Sequence, residues 1–160
     1  MSESIAHHAK RIALKLRDQS LTTPMIGVFI ATSRHNEKHK KYFGYQVCAL
    51  LSSTCDSAVI ISHALKTLKQ IYKEGFIYKK SGVMALKTMP LNRTPATLFE
   101  DRTHTEKRLK LMKALDKINI LNGSETLKFA AEGISKNWRM RSSHKSPRYL
   151  SSWKELPLVN

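Results

Sequence analysis

Residues 56–75 read DSAVIISHALKTLKQIYKEG, and this run decides how the rest of the chain is arranged. Ile61, Ala64, Leu65, Leu68, Ile71 and Tyr72 recur at helical spacing and mark one apolar stripe over three turns. Asp56 stands where an N-cap carboxylate accepts from the first free backbone N–H groups, and Gly75 where a glycine C-cap belongs. A striped helix must lie on another apolar surface. Its neighbours in sequence supply a sheet. Met25 to Thr32 alternates Ile26, Val28 and Ile30 with Gly27, Phe29 and Ala31, small or apolar on both faces, as suits a central strand. Tyr45 to Leu51 alternates again, with Tyr45, Val47, Ala49 and Leu51 on one face, and Ser52 to Cys55 reads as the turn into the helix. Beyond the helix, Phe76 to Met89 reads as a third strand with Val83, Met84, Ala85 and Leu86 inside it, ended by Pro90.

Working outward, the N-terminal segment reads as a helix. Ile5, Ala9, Ile12, Ala13 and Leu16 form its apolar face, with Lys10, Arg11, Lys15 and Arg17 around the remaining face. Ser2 or Ser4 is placed to cap its start, and Thr22-Thr23-Pro24 breaks it. Residues 1–90 therefore read α-β-β-α-β. The expected class is α+β: a small, mostly antiparallel sheet with two helices on one face. That order is a ferredoxin-like βαββαβ unit lacking its first strand. A free sheet edge invites pairing, so a homodimer through that edge is one expectation.

Residues 91–102 form a polar connector with Pro95 and one apolar island, Leu98-Phe99, followed by Glu100-Asp101. Residues 103–160 make up the rest. Thr103-His-Thr-Glu106 is a capping-box pattern ahead of a helix with a ridge of Leu109, Met112, Leu115 and Ile118, widened by Leu111 and Ala114. Asn122-Gly123 stops that helix. The remainder is an irregular, basic tail holding both tryptophans, Trp138 and Trp153. Either Trp138, Tyr149 and Trp153 dock on the chain's own sheet, which is the expectation, or they wait for a partner.

Lys+Arg 28 against Asp+Glu 12 gives a net charge of +16. A field of that size points to a polyanion, because neutralising phosphates releases condensed counterions. Nucleic acid leads and an anionic membrane is the rival, although no apolar run approaches the roughly 18 residues of a spanning helix. The N-terminus lacks the basic and hydrophobic regions of a signal peptide, and Cys48 and Cys55 match no metal or redox spacing, so a cytoplasmic, reduced setting is expected. The basic stretch from Ser33 to Phe43 offers Arg34, Lys38, Lys40 and Lys41 with Tyr42, and Lys79-Lys80 adds to it. Such side chains position a nucleic-acid backbone without reading sequence. No catalytic, metal or cofactor site is expected. The acids are dispersed, Glu100-Asp101 reads as a solvated turn, and no Cys or acid completes a set with His35 and His39.

Asp56-Ser57 opening a long amphipathic helix that ends Gly75-Phe-x-Tyr78-Lys-Lys-Ser-Gly82-Val-Met84 resembles the little-finger domain of Y-family translesion DNA polymerases. Thr126-Leu-Lys-Phe129-Ala-Ala-Glu-Gly133-Ile, Trp138-Arg-Met140, Ser146-Pro-Arg-Tyr149, Trp153 and Leu156-Pro157 resemble the C-terminal region of the UmuC family, catalytic subunits of the bacterial SOS polymerase. The resemblance implies a role in SOS-response translesion synthesis and DNA repair. It also implies a sheet domain lying in the major groove of primer-template DNA and touching phosphates. Thr32, Ser33, Arg34, Lys38, Lys40, Lys41, Tyr42, Lys79 and Lys80 would face the DNA. Leu98 and Phe99 would be the last positions of a clamp-binding peptide of the form Gln-Leu-x-Leu-Phe, with Pro95 where Gln belongs. With Trp138, Tyr149 and Trp153 they would face partners such as the sliding clamp, UmuD′ or RecA. The palm with its Mg²⁺ carboxylates, the fingers and the thumb have no counterpart here, which implies that the chain does not polymerise DNA on its own. The alternative from another class is a protein–protein interaction module without direct DNA contact. A stand-alone RNA-binding protein is disfavoured because no strand carries an RNP-type aromatic run.

Overall fold

Two helices, α1 (Ser2–Asp18) and α2 (Ser57–Ile71), cover one face of a sheet whose central strand is β1 (Leu21–Thr32). β2 (Phe43–Thr54) and β3 (Tyr78–Leu86) flank β1, and the two-residue β4 (Met89–Pro90) pairs with its start; every pairing is antiparallel. This computed structural model describes residues 1–35, 40–93, 102–134, 138 and 145–156. The expected α+β class holds, with both helices on one face.

The core follows from the alternation in β1. Ile26, Val28 and Ile30 are fully buried beneath Ile5, Ala6, Ala9, Ala13 and Leu16 of α1 and Ile60, Ile61, Ala64, Leu68 and Ile71 of α2. The alanines of α1 let its backbone sit close to the layer below. Asp56 caps α2 as expected, its Oδ1 accepting from Ala58 N–H at 2.8 Å and Val59 N–H at 3.4 Å.

Three local expectations are corrected. β1 begins at Leu21 rather than after Pro24. Register shifts between Thr23 and Met25, so Pro24 sits at a bulge, where a missing N–H costs the ladder nothing. α2 ends at Ile71 rather than at a Gly75 cap. Tyrosine hydroxyls do the finishing: Tyr42 Oη donates to Ile71 O at 2.8 Å, and Tyr78 Oη meets both the N–H and the carbonyl of Lys73 (3.0 and 2.9 Å). Gly75, with φ 79°, serves the turn beyond. Finally, no side chain caps α1; Ser4 Oγ lies 2.8 Å from Ser81 Oγ on β3.

The region after the connector is fastened to the sandwich by charge. α3 (Arg102–Asn122) lays Arg108, Met112 and Asp116, spaced four apart, along one stripe. Arg17 of α1 donates to Asp116 at 2.6 and 2.8 Å, and Arg108 donates to Asp56 at 2.7 and 2.9 Å. Met112, between them on the same stripe, is 2% exposed. Farther along, Glu132 in a short 3-10 turn (Ala130–Glu132) is buried against α1, with Lys10 Nζ at 3.0 Å and His7 Nδ1 at 3.3 Å. Lys10 and Arg17 therefore do not lie on a solvent face as charge patterning suggested. Each meets a carboxylate that offsets its desolvation.

Trp138 docks as well, but on helix rather than sheet: its ring centroid lies 5.3 Å from that of His7 and 6.0 Å from that of His8. Tyr149 is about half exposed and Trp153 is 91% exposed, so the expected docking is not found for either. Residues 145–156 close on themselves instead, Glu155 accepting from Arg148 N–H (2.6 Å) and from its guanidinium. Those bonds hold the Glu155 carboxyl below its ordinary pKa.

Candidate nucleic-acid interface

Antiparallel pairing brings the end of β1 and the starts of β2 and β3 to one end of the sheet. Ala31 pairs with both Phe43 and Lys80, and Thr32 with Tyr78. Arg34 just beyond β1, Lys40 and Lys41 just before β2, and Lys79 and Lys80 opening β3 are thus gathered there, and all of them are exposed. The two groups, 34–41 and 79–80, are far apart in sequence, and the register brings them to the same end.

Three residues of the expected set behave differently. Thr32 is buried and holds the loop closed: its Oγ1 accepts from Tyr42 N–H at 2.9 Å, and its N–H donates to Tyr42 O at 3.0 Å. Tyr42 is half-buried with its hydroxyl committed to Ile71, in a ring cluster with Phe76 (5.0 Å) and Tyr78 (6.1 Å). Both shape this end of the sheet. Ser33 is half-buried between them and Arg34. Sequence reasoning missed Lys73, whose Nζ sits 4.9 Å from the centre of the Tyr42 ring and adds a cation to the same end. Its only sequence signal is its place two positions beyond the end of α2. Lys38, His39, Leu98, Phe99, Glu100 and Asp101 lie outside the described residues.

Among the described residues, no element covers the face of the sheet away from the helices. Pairing with Ile26, Val28 and Ile30 puts Cys48, Gln46 and Gly44 of β2 on the helix side of the sheet, with Gln46 exposed at its edge. The alternating set Tyr45, Val47 and Ala49, with Phe43 and Leu51, therefore faces outward. The register arranges this open face in rows: Lys80–Ala31–Phe43, then Gly82–Phe29–Tyr45, then Met84–Gly27–Val47, then Leu86–Met25–Ala49. Phe43 is 62% exposed, and Tyr45, Val47 and Met84 are each exposed by more than a third. Among the described residues no three His, Cys, Asp or Glu side chains gather as a metal site.

A family described as the impB/mucB/samB family C-terminal domain matches residues 1–98. The chain belongs to this family. A domain of unknown function, DUF4113, matches residues 109–159. Protein UmuC of Salmonella typhimurium (strain LT2) is 33% identical over 156 residues, covering 98% of this chain and 37% of its own length. Protein ImpB of Salmonella typhimurium is 31% identical over 159 residues, and Protein MucB of Escherichia coli 33% over 159; each match covers 99% of this chain and 37% of the relative. The chain thus spans 37% of the length of these curated relatives. The UmuC-type resemblance drawn from the little-finger and tail motifs holds over nearly the whole chain.

The matches to impB/mucB/samB and to DUF4113 meet across two paired forks: Arg17 and Asp56 lie in the first, Asp116 in the second, and Arg108 one residue before it. The Arg17–Asp116 pair therefore joins the two matched segments.

Proposed function

We propose that this chain is the DNA-holding C-terminal region of an error-prone Y-family DNA polymerase of UmuC type, acting in SOS translesion synthesis. Arg34, Lys40, Lys41, Lys79 and Lys80 contact phosphates of primer-template duplex without reading sequence, with Lys73 beside them and Lys38, outside the described residues, as a further contact. Ser33 lies at the edge of this set, and Thr32 and Tyr42 serve it by shaping the loop. The observation that carries the reading is the convergence of these exposed cations at one end of a sheet whose outer face no described element covers. The family membership supports it. The chain is not a polymerase on its own in this reading: Asp56, Asp116 and Glu132 are each engaged by a cation in fastening the fold. The setting is cytoplasmic; no described helix is long and apolar enough to cross a membrane.

Fluorescence anisotropy with labelled primer-template DNA tests the reading. Binding should weaken steeply with salt, and Lys79→Ala with Lys80→Ala should weaken it and lower the salt slope by about two. No binding at low salt removes the proposal. Primer extension with Mg²⁺ and all four nucleotides should give no product, and incorporation by this chain alone would sink the non-catalytic part.

A second reading is favoured by the exposure of Trp153 and Leu150: a tail that docks a partner protein. The sliding clamp, UmuD′ and RecA are the candidates, with Leu98, Phe99, Trp138, Tyr149 and Trp153 as contacts. A pull-down with each partner, repeated with Trp153→Ala and with Leu98 and Phe99 replaced by Ala, separates the two readings. A homodimer through a free sheet edge is tested by light scattering.

A further inference from the structure

The open sheet face carries more than phosphate-binding lysines. Phe29 extends across the neighbouring strand so that its ring covers Gly82, where a Cβ would run into ring atoms Cε1 and Cζ. Tyr45 does the same to Gly27: a Cβ there would stand 2.9 Å from its hydroxyl and 3.0 Å from Cε2. Both rings lie down over backbone that carries no side chain. Tyr45 is 42% exposed and Phe29 partly so. Phe43 stands beside Phe29 with centroids 6.4 Å apart and planes only 27° from parallel. Three aromatic rings thus occupy two consecutive rows of the open face, and Lys80 shares the outer row with Phe43.

We infer that this face is a stacking platform for the unpaired bases of single-stranded nucleic acid. Flat rings with one free face are the surface on which bases stack, and every base offers a π-face whatever its sequence. The lysines at the end of the rows supply the charge for the phosphates that link those bases. A duplex keeps its base faces inside its own stack, so it can use the lysines but not the rings. The aromatic surface therefore selects for single strands, which goes beyond the duplex contacts proposed above. Sequence reading discounted this chemistry because no one strand holds an aromatic run. The rings come from β1 and β2, and register alone brings them together.

The test uses the full chain with fluorescein-labelled oligothymidylate and, in parallel, a duplex of the same length. Phe43→Ala should weaken oligothymidylate binding about tenfold. It should leave duplex binding and the salt slope of both unchanged. Phe43→Tyr, which keeps the ring, should restore binding. Lys80→Ala should weaken both ligands and lower both salt slopes. A thermal melt confirms that Phe43→Ala folds, as the exposure of that ring leads one to expect. The inference is overturned if oligothymidylate does not bind, if Phe43→Ala leaves its binding unchanged, or if the substitution impairs duplex equally. Duplex binding without oligothymidylate binding would sink this inference and leave the phosphate-contact reading standing.

Discussion

Lys10 Nζ lies 3.0 Å from Glu132 Oε1, and the pair closes the first helix against a segment from the other end of the chain. Both oxygens of Glu132 are used. Oε1 also accepts the Phe129 N–H at 3.0 Å, and Oε2 faces His7. The Phe129-Ala-Ala-Glu132 motif thus works as a clasp: the acid turns its own backbone and anchors it in the same act.

Breaking the clasp from one side should be costly. Glu132→Ala leaves a buried ammonium without its anion and should lower stability by about 3 kcal/mol in urea unfolding. Glu132→Gln keeps an acceptor for the Phe129 N–H and should lose less. Adding Lys10→Met to Glu132→Ala should recover part of the loss. Strict additivity in this double-mutant cycle would show that the two residues are not coupled.

Asp56 serves two partners, and substitutions separate them. Asp56→Asn retains an oxygen for the Ala58 N–H but loses the charge that Arg108 grips, whereas Asp56→Ala loses both. The cap alone is worth about 1 kcal/mol. Asp56→Ala should therefore destabilise more than Asp56→Asn by about that amount, and Arg108→Ala should resemble Asp56→Asn. Equal melting temperatures for the two Asp56 variants would argue against the capping role.

Gly133 has φ 69° and ψ 169°, a region essentially restricted to glycine. A Cβ there would also collide with the Glu3 carboxylate. Gly133→Ala should cost about 1–3 kcal/mol. Adding Glu3→Ala should remove the collision but not the backbone strain, so rescue should be partial. Complete rescue in a thermal melt would assign the whole effect to the collision.

Acid should loosen the same region through His8. Burial, then the neighbouring charges of His7 and Arg11, push its pKa below the ordinary histidine value. The unfolded chain therefore takes up a proton first as pH falls through about 6.5, and the fold loses stability below that point. His8 packs on Trp138, so tryptophan emission in a Trp153→Phe background should report the change. His8→Phe should flatten the step. An unchanged pH profile in that variant would trace the effect to another group.

The order α-β-β-α-β was legible because each segment has its own period and its own punctuation, from the stripe of α2 to the cap at Asp56. What the chain hid were pairings across distance. Arg108 lies 52 positions from Asp56, and no local pattern says that a capping carboxylate has a second partner. Lys10 and Arg17 read as solvent-facing because charge usually is, until Glu132 and Asp116 come to meet them. Pro24 read as a break because proline seldom enters a central strand, and the bulge that admits it follows from pairing. A period of two in β2 leaves open which set of residues faces the helices, and register decided it. For the site, Arg34, Lys40, Lys41, Lys79 and Lys80 were visible as a basic set. Thr32 and Tyr42 were drawn into it by position, whereas their hydrogen bonds turn them inward.

The clasp and the Arg17 fork also have a place in time. Arg17 and Asp116 are 99 positions apart, and His7 and Glu132 are 125. A ribosome adding 5–20 residues per second makes the cations of α1 at least about 5–20 seconds before their acids. For that interval the first helix exists without the two carboxylates that Lys10 and Arg17 meet in the finished fold. Its outer face is then sealed only when the last third of the chain arrives, so synthesis itself sets the moment at which this surface stops being open to other anions.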